Sequence, residues 1–234
     1  MKKYIFMICV YLMFFSLACK KAEGGKSIQD KQNSFSAEII PEEKNDIVIE
    51  KLNGNLKIKD LNYSLTEAIP AAQLADVEIL FLNHCDVRMF KDELKYIKHA
   101  KVLWLSNCVL DGLEFLDKLP SLEVFHASST SFPRRYGELD LSKSKRLVYF
   151  YIDGMNFNIE FSRIKALPKS LEIFGTDALF ERGNLPDLQR KGNEKLHFDI
   201  FVVGDDWVGK YDYLKEQGVQ VVYFPSPGIP YLHQ

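Results

Sequence analysis

The sequence predicts an α/β fold built from short repeated units, and two observations carry that prediction. One phrase recurs along the chain, with apolar residues at relative places 1, 4, 6 and 11 and a cysteine, asparagine or small residue expected at place 9. Between its copies lie stretches whose apolar residues fall at helical spacing. A strand, a turn and a helix or irregular segment, repeated in that order, bring successive strands side by side and parallel.

The elements follow in chain order. Residues 1–18 read as a secretory signal: Lys2-Lys3, an apolar run from Tyr4 to Phe15, then Ser16-Leu17-Ala18 before Cys19. The run is shorter than the roughly 20 apolar residues that a bilayer span needs. Residues 19–45 are rich in Lys, Glu, Gly, Ser, Gln, Asn and Asp. Such a composition buries too little surface to offset its ordering entropy, so the segment reads as a flexible tether. Residues 46–234 form the repeat domain, with atypical ends that close it.

Two copies of the phrase are clear: Val77, Leu80, Leu82, Cys85, Val87, and Ala100, Leu103, Leu105, Cys108, Leu110. Weaker copies run through Leu122–Phe132, Leu147–Phe157 and Leu171–Thr176, then through Phe198–Val208 and Val219–Ile229, and a degenerate first copy holds Leu56, Ile58 and Leu61. Between copies, residues 88–99 put Phe90, Leu94 and Ile97 on one helical face, and residues 110–119 do the same with Leu113, Leu116 and Leu119. Leu119-Pro120 and Leu167-Pro168 mark the return to the next strand, since proline cannot continue a helix. The tail from Phe224 to Pro230 carries three prolines and is expected to close the end of the domain.

The phrase resembles the L-x-x-L-x-L-x-x-N/C-x-L motif of leucine-rich-repeat proteins, over roughly residues 53 to 230. Asparagine fills place 9 in no copy and cysteine fills it in two. The resemblance implies a curved solenoid, with a parallel sheet on the concave side and helices or irregular segments on the convex side. A doubly wound α/β sheet shares the spacing; the position-by-position match of the two cysteine copies favours the solenoid. The Leu17-Ala18-Cys19 junction resembles the lipobox of bacterial lipoproteins, in the looser form seen in spirochaetes, with Ser16 where leucine is usual. That resemblance implies lipidation at Cys19, and ordinary signal cleavage is the other reading of the same junction.

Cys85 and Cys108 occupy the same place in neighbouring units, which sets their α-carbons about 5 Å apart, one strand spacing. That distance is compatible with a disulfide in an oxidising compartment, whereas the family resemblance implies buried thiols bonding the backbone. A zinc site made with His84 or His126 lacks a fourth ligand. With only these two cysteines in the folded part, a disulfide framework is excluded.

Strand residues alternate faces, so places 4 and 6 point into the core and places 3, 5 and 7 point outward. Place 5 collects Phe81, Trp104, His126, Tyr151 and Tyr223, place 3 holds Tyr149 among aliphatic residues, and place 7 holds Asp153. An outward row of this composition resembles an interface hot spot. The expected contact residues are therefore Phe81, Trp104, His126, Tyr149, Tyr151, Asp153 and Tyr223. The same apolar rows could instead pack along the strand ladder.

The formal net charge is −2 and becomes more negative when Lys2 and Lys3 leave with the signal. The charges are interleaved without a basic stripe, which argues against nucleic acid as a partner. H-E-x-x-H, G-x-S-x-G, glycine-rich phosphate loops, EF-hand loops and paired C-x-x-C motifs do not occur. No enzyme activity, cofactor or metal is therefore expected. The expectation is a lipid-anchored protein of the cell or outer membrane that binds a protein or surface glycan, with adhesion as one use. The alternative is a structural or assembly protein of the periplasm or envelope.

Overall fold

An apolar residue at every second position gives each copy of the phrase a strand with one buried face, and parallel pairing aligns those faces. The computed structural model describes residues 47–136, 138–157, 164–176 and 198–224, within a unit spanning 44–234. The expected signal segment, Cys19, the expected tether and the proline-rich tail beyond Phe224 lie outside the described residues.

Strands β1 (Val48–Leu52) and β2 (Asn55–Lys59) form an antiparallel hairpin. Its turn is Asn53-Gly54, at φ 49° and 77°, the asparagine-glycine pair whose twist matches that of the flanking strands. Seven strands then follow β2 in chain order, each parallel to the last: β3 (Ile79–Asn83), β4 (Val102–Ser106), β5 (Val124–Tyr136), β7 (Tyr149–Phe157), β9 (Ile173–Thr176), β10 (Ile200–Gly204) and β11 (Gln220–Phe224). Two short strands, β6 (Leu139–Asp140) and β8 (Ile164–Ala166), pair with each other apart from this sheet. The described structure is thus mostly one large parallel sheet with few helices, compatible with an α/β fold.

Places 4 and 6 build the core. Leu56, Ile58, Leu80, Leu82, Leu103, Leu105, Phe125, Ala127, Phe150 and Ile152 are at most 1% exposed, and fully burying a leucine or phenylalanine side chain contributes about 1.5–3 kcal/mol. Phenylalanine at place 4 then continues from strand to strand: Phe125 stacks on Phe150 at 5.3 Å, and Phe150 on Phe174 at 5.6 Å.

The connecting segments depart from expectation. Residues 88–99 and 110–119 form no continuous α-helix but short 3-10 turns at Val87–Met89, Glu93–Tyr96 and Glu114–Lys118. Phe90, Leu94, Ile97, Leu113, Leu116 and Leu119 are nonetheless buried. A segment of about ten residues has little helical stability of its own, so the need to seat each apolar anchor and still reach the next strand sets its path. Among the described residues the α-helices are single turns, α1 (Leu65–Ala68), α2 (Ala71–Leu74) and α3 (Tyr213–Glu216). The first is tied to the next unit: the Glu93 carboxylate accepts from Thr66 N at 2.6 Å and from Ser64 Oγ at 2.9 Å. No helix among the described residues is long and apolar enough to cross a membrane.

The turns after β2, β3 and β4, and the matching position within β5, share one backbone conformation. Asp60, His84, Asn107 and Ser129, all at place 8, take left-handed backbone with φ between 52° and 62°. Asparagine, aspartate and histidine tolerate that conformation better than most residues. The turn aims place 9 inward, where Cys85 and Cys108 are free, buried thiols. Cys85 donates to the carbonyls of Asn83 (3.3 Å) and Ile58 (3.6 Å), and Cys108 to those of Ser106 (3.4 Å) and Leu82 (3.5 Å). Each thiol thereby bonds its own turn and the place-6 carbonyl of the preceding unit.

Candidate binding face

The in-register pairing assembles the outward row from single residues of successive strands. Lys57, Phe81, Trp104, His126, Tyr151, Gly175, Val202 and Val222 stand side by side at place 5. Beside them at place 3 run Ile79, Val102, Val124, Tyr149, Ile173 and Ile200. Of the predicted contact residues, Phe81, Trp104, His126, Tyr149 and Tyr151 therefore share one face.

Tyr223 does not. It pairs with Val203, a core-facing residue, and packs with Val221 against the core. Its hydroxyl donates to Asp212 Oδ1 at 3.0 Å and accepts from Gly209 N at 3.2 Å. The physical reason is register: Val221, Val222, Tyr223 and Phe224 offer apolar side chains to both faces, so alternation alone cannot choose between them, and a slip of one residue exchanges the faces.

The rings of the row stand on edge, face against face. Trp104 stacks on His126 at a centroid distance of 3.7 Å with 16° between planes. His126 stacks in turn on Tyr151 at 4.7 Å and lies 6.1 Å from Tyr149. Gly175 makes the room that Tyr151 needs, since a Cβ there would lie 2.6 Å from the tyrosine Cδ2. The expected solvent-facing aromatic row is corrected at its centre: His126 and Tyr149 are 7% exposed and Tyr151 3%. Ring-on-ring packing across strands accompanies this burial, the cross-strand use of aromatic residues. Phe81 and Trp104, by contrast, are half-buried, and Lys57 and Val222 are exposed.

Burial sets the electrostatics. It holds the His126 imidazole down to about 3, because the charged ring would lose its hydration. Its Nδ1 shares a hydrogen bond with the Tyr149 hydroxyl at 3.1 Å. Burial first, and then the negative charge of Asp153, push the Tyr149 hydroxyl up. Both groups are therefore neutral near pH 7. Asp153 is half-buried and spans two strands, its carboxylate accepting from the Ser129 backbone N–H and from the Tyr151 hydroxyl at 2.9 Å. Just after it, Gly154 (φ 148°) passes so close to β5 that a Cβ would lie 1.9 Å from Thr130 O.

A polar rim at place 7, Asn83, Ser106 and Ser128, is half-buried beside Phe81, Trp104 and His126. Reading the sequence for aromatic columns missed the place-8 turn residues and the part played by Gly175; the run of Asp, His, Asn and Ser at one repeat position was the available signal for the former. Among the described residues no three His, Cys, Asp or Glu side chains converge as metal ligands would. What the face offers is apolar surface at Phe81 and Trp104, flanked by hydrogen-bonding groups and the Lys57 cation.

No family model matches the chain. Over 126 residues it is 29% identical to Receptor like protein 23 of Arabidopsis thaliana, a match that covers 53% of this chain and 13% of that protein. Over 29 residues, 12% of this chain and 22% of the relative, it is 59% identical to Glycerol-3-phosphate cytidylyltransferase of Bacillus subtilis. The chain thus spans less than a quarter of the length of either curated protein.

Proposed function

We propose that residues 46–234 form a leucine-rich-repeat solenoid whose outward sheet face binds a protein or surface glycan, held at the cell envelope by a lipid on Cys19. The observation that carries the reading is the half-exposed pair Phe81 and Trp104, with Asn83 and Ser106 beside it. Aromatic anchors within a polar rim are the make-up of binding hot spots. The partial match to a plant receptor-like protein of the leucine-rich-repeat family supports the repeat assignment. The step from fold to binding is an analogy, since one fold hosts many functions.

Contact centres on Phe81, Trp104 and Lys57, and the buried rings of His126, Tyr149 and Tyr151 hold that surface flat and rigid. The proposal tests by chemical crosslinking on intact cells, comparing the wild-type chain with Phe81→Glu and Lys57→Glu variants of unchanged circular dichroism. A specific protein or glycan adduct with wild type, reduced at least tenfold in the variants, is expected. Equal capture by all three, or capture by none, overturns it. Lipidation is checked separately by metabolic labelling with a fatty-acid analogue, which Cys19→Ala should abolish.

A second reading has one observation in its favour. The three central rings are buried, as side chains that serve packing would be, and this suits a structural or assembly protein facing the periplasm. Protease accessibility on intact cells separates the two readings: surface cleavage supports the first, and cleavage only after envelope disruption the second.

A further inference from the structure

Cys85 and Cys108 fall at the same place of adjoining units, immediately past the ends of β3 and β4. Asp86 pairs with Val109 in a parallel bridge, so the preceding residues stand directly side by side, with α-carbons about one strand spacing, near 5 Å, apart. That separation lies within the roughly 4.4–6.8 Å that disulfides span. Both thiols point into the same buried layer and are free. They are the only cysteines among the described residues, and each is bonded to backbone carbonyls without any third sulfur or metal ligand nearby.

We propose that Cys85 and Cys108 are a redox modification site, a dithiol that an external disulfide converts into an intramolecular disulfide joining the second and third units. One protein thiolate attacks the external disulfide, forming a mixed disulfide and releasing one thiol of the oxidant. The other cysteine then attacks the protein sulfur of that mixed bond and releases the second thiol. The protein gives up two electrons and two protons, and the oxidant's disulfide becomes two thiols.

Both cysteines are 1% exposed, so the first attack takes place from a locally opened turn, at His84 or Asn107, both of which are exposed. Oxidation replaces the thiol donors to Ile58 O and Leu82 O with a covalent tie between strands. Those strands carry Phe81 and Trp104, so the bond fixes the spacing of the two half-exposed rings. This site does not depend on the proposed binding of a partner.

The test uses the purified full chain, reduced and then incubated in its native state with oxidised glutathione. Remaining thiols are alkylated under denaturing conditions, and the digest is mapped by mass spectrometry. The expected result is a crosslinked peptide pair joining Cys85 to Cys108 in most molecules, reversed by dithiothreitol and absent from Cys85→Ser. Recovery of both cysteines in alkylated form overturns the proposal. So does their appearance only as glutathione mixed disulfides or as bonds between chains.

Discussion

His126 is a histidine placed among rings, and its neighbours decide its chemistry. Stacked on Trp104 and Tyr151 and bonded to Tyr149, it is neutral in the folded protein, with its pKa lowered to about 3 by burial. Unfolded, it would titrate near the ordinary histidine value of about 6.5. The unfolded state therefore binds more protons between those two values, and the contribution to stability is whole above about 6.5 and lost as pH falls toward 3. From pH 6.5 to 4.5 the loss is about 2 kcal/mol. Urea midpoints measured across that range should show a shallower pH slope for His126→Phe than for wild type, even though the variant loses about 1 kcal/mol at neutral pH with the Tyr149 hydrogen bond. Equal slopes would mean that the ring is hydrated in solution. The place-9 residues show the same dependence on setting: the two thiols serve as ladder donors because the left-handed turn before them aims them inward.

At the scale of elements, β5, β7 and β9 fit together through absences as much as through side chains. Gly175 on β9 leaves the space that the Tyr151 ring fills, and Gly154 on β7 admits the Thr130 carbonyl of β5. Gly175→Ala forces its Cβ against an aromatic carbon and against Val202, at 2.6 and 3.1 Å, and should cost about 1–3 kcal/mol as overpacking does. Adding Tyr151→Leu removes the obstructing ring, so the double variant should be more stable than the sum of the single losses predicts. Strict additivity in chemical denaturation would show that the ring and the glycine are not coupled. The single-turn helix α1 depends likewise on its neighbour. Glu93 from the following unit caps it through Ser64 and Thr66, and Glu93→Ala should lower stability by about 1 kcal/mol, read from the urea midpoint.

For the domain as a whole, the two faces of the sheet divide the main core from the surface proposed to bind a partner. Leu105, on β4, is fully buried at place 6; Leu105→Ala should cost about 2–5 kcal/mol. Phe81, one strand away on the opposite face, is half-buried. Phe81→Glu should cost about 1 kcal/mol or less while abolishing capture of the proposed partner. A large stability loss from Phe81→Glu would mean that its ring belongs to the packed ladder with His126 and Tyr151. The inter-unit ion pairs Lys101–Glu78 and Arg146–Glu123, at 3.2 and 2.7 Å, join exposed or partly exposed side chains, and such pairs add little to this balance.

The sequence by itself determined the strands of the parallel sheet from β2 to β10, their order and which of their side chains face inward, because the repeated phrase keeps places 4 and 6 apolar from copy to copy even where places 3 and 5 are apolar too. Leu80, Leu82, Leu103 and Leu105 could not be exposed together without losing the core. It also determined that Phe81, Trp104, His126, Tyr149 and Tyr151 share a face, which follows from register alone. Only the tertiary structure decided how far each ring is covered, since burial depends on neighbours 22 to 25 positions away and on how their planes stack. The same holds where the local pattern is degenerate. In β11, apolar residues on both faces left the register to packing, and Tyr223 went to the core side. In the connecting segments, short helical spacing left the choice between α-helix and 3-10 turns to the distance the chain had to cover.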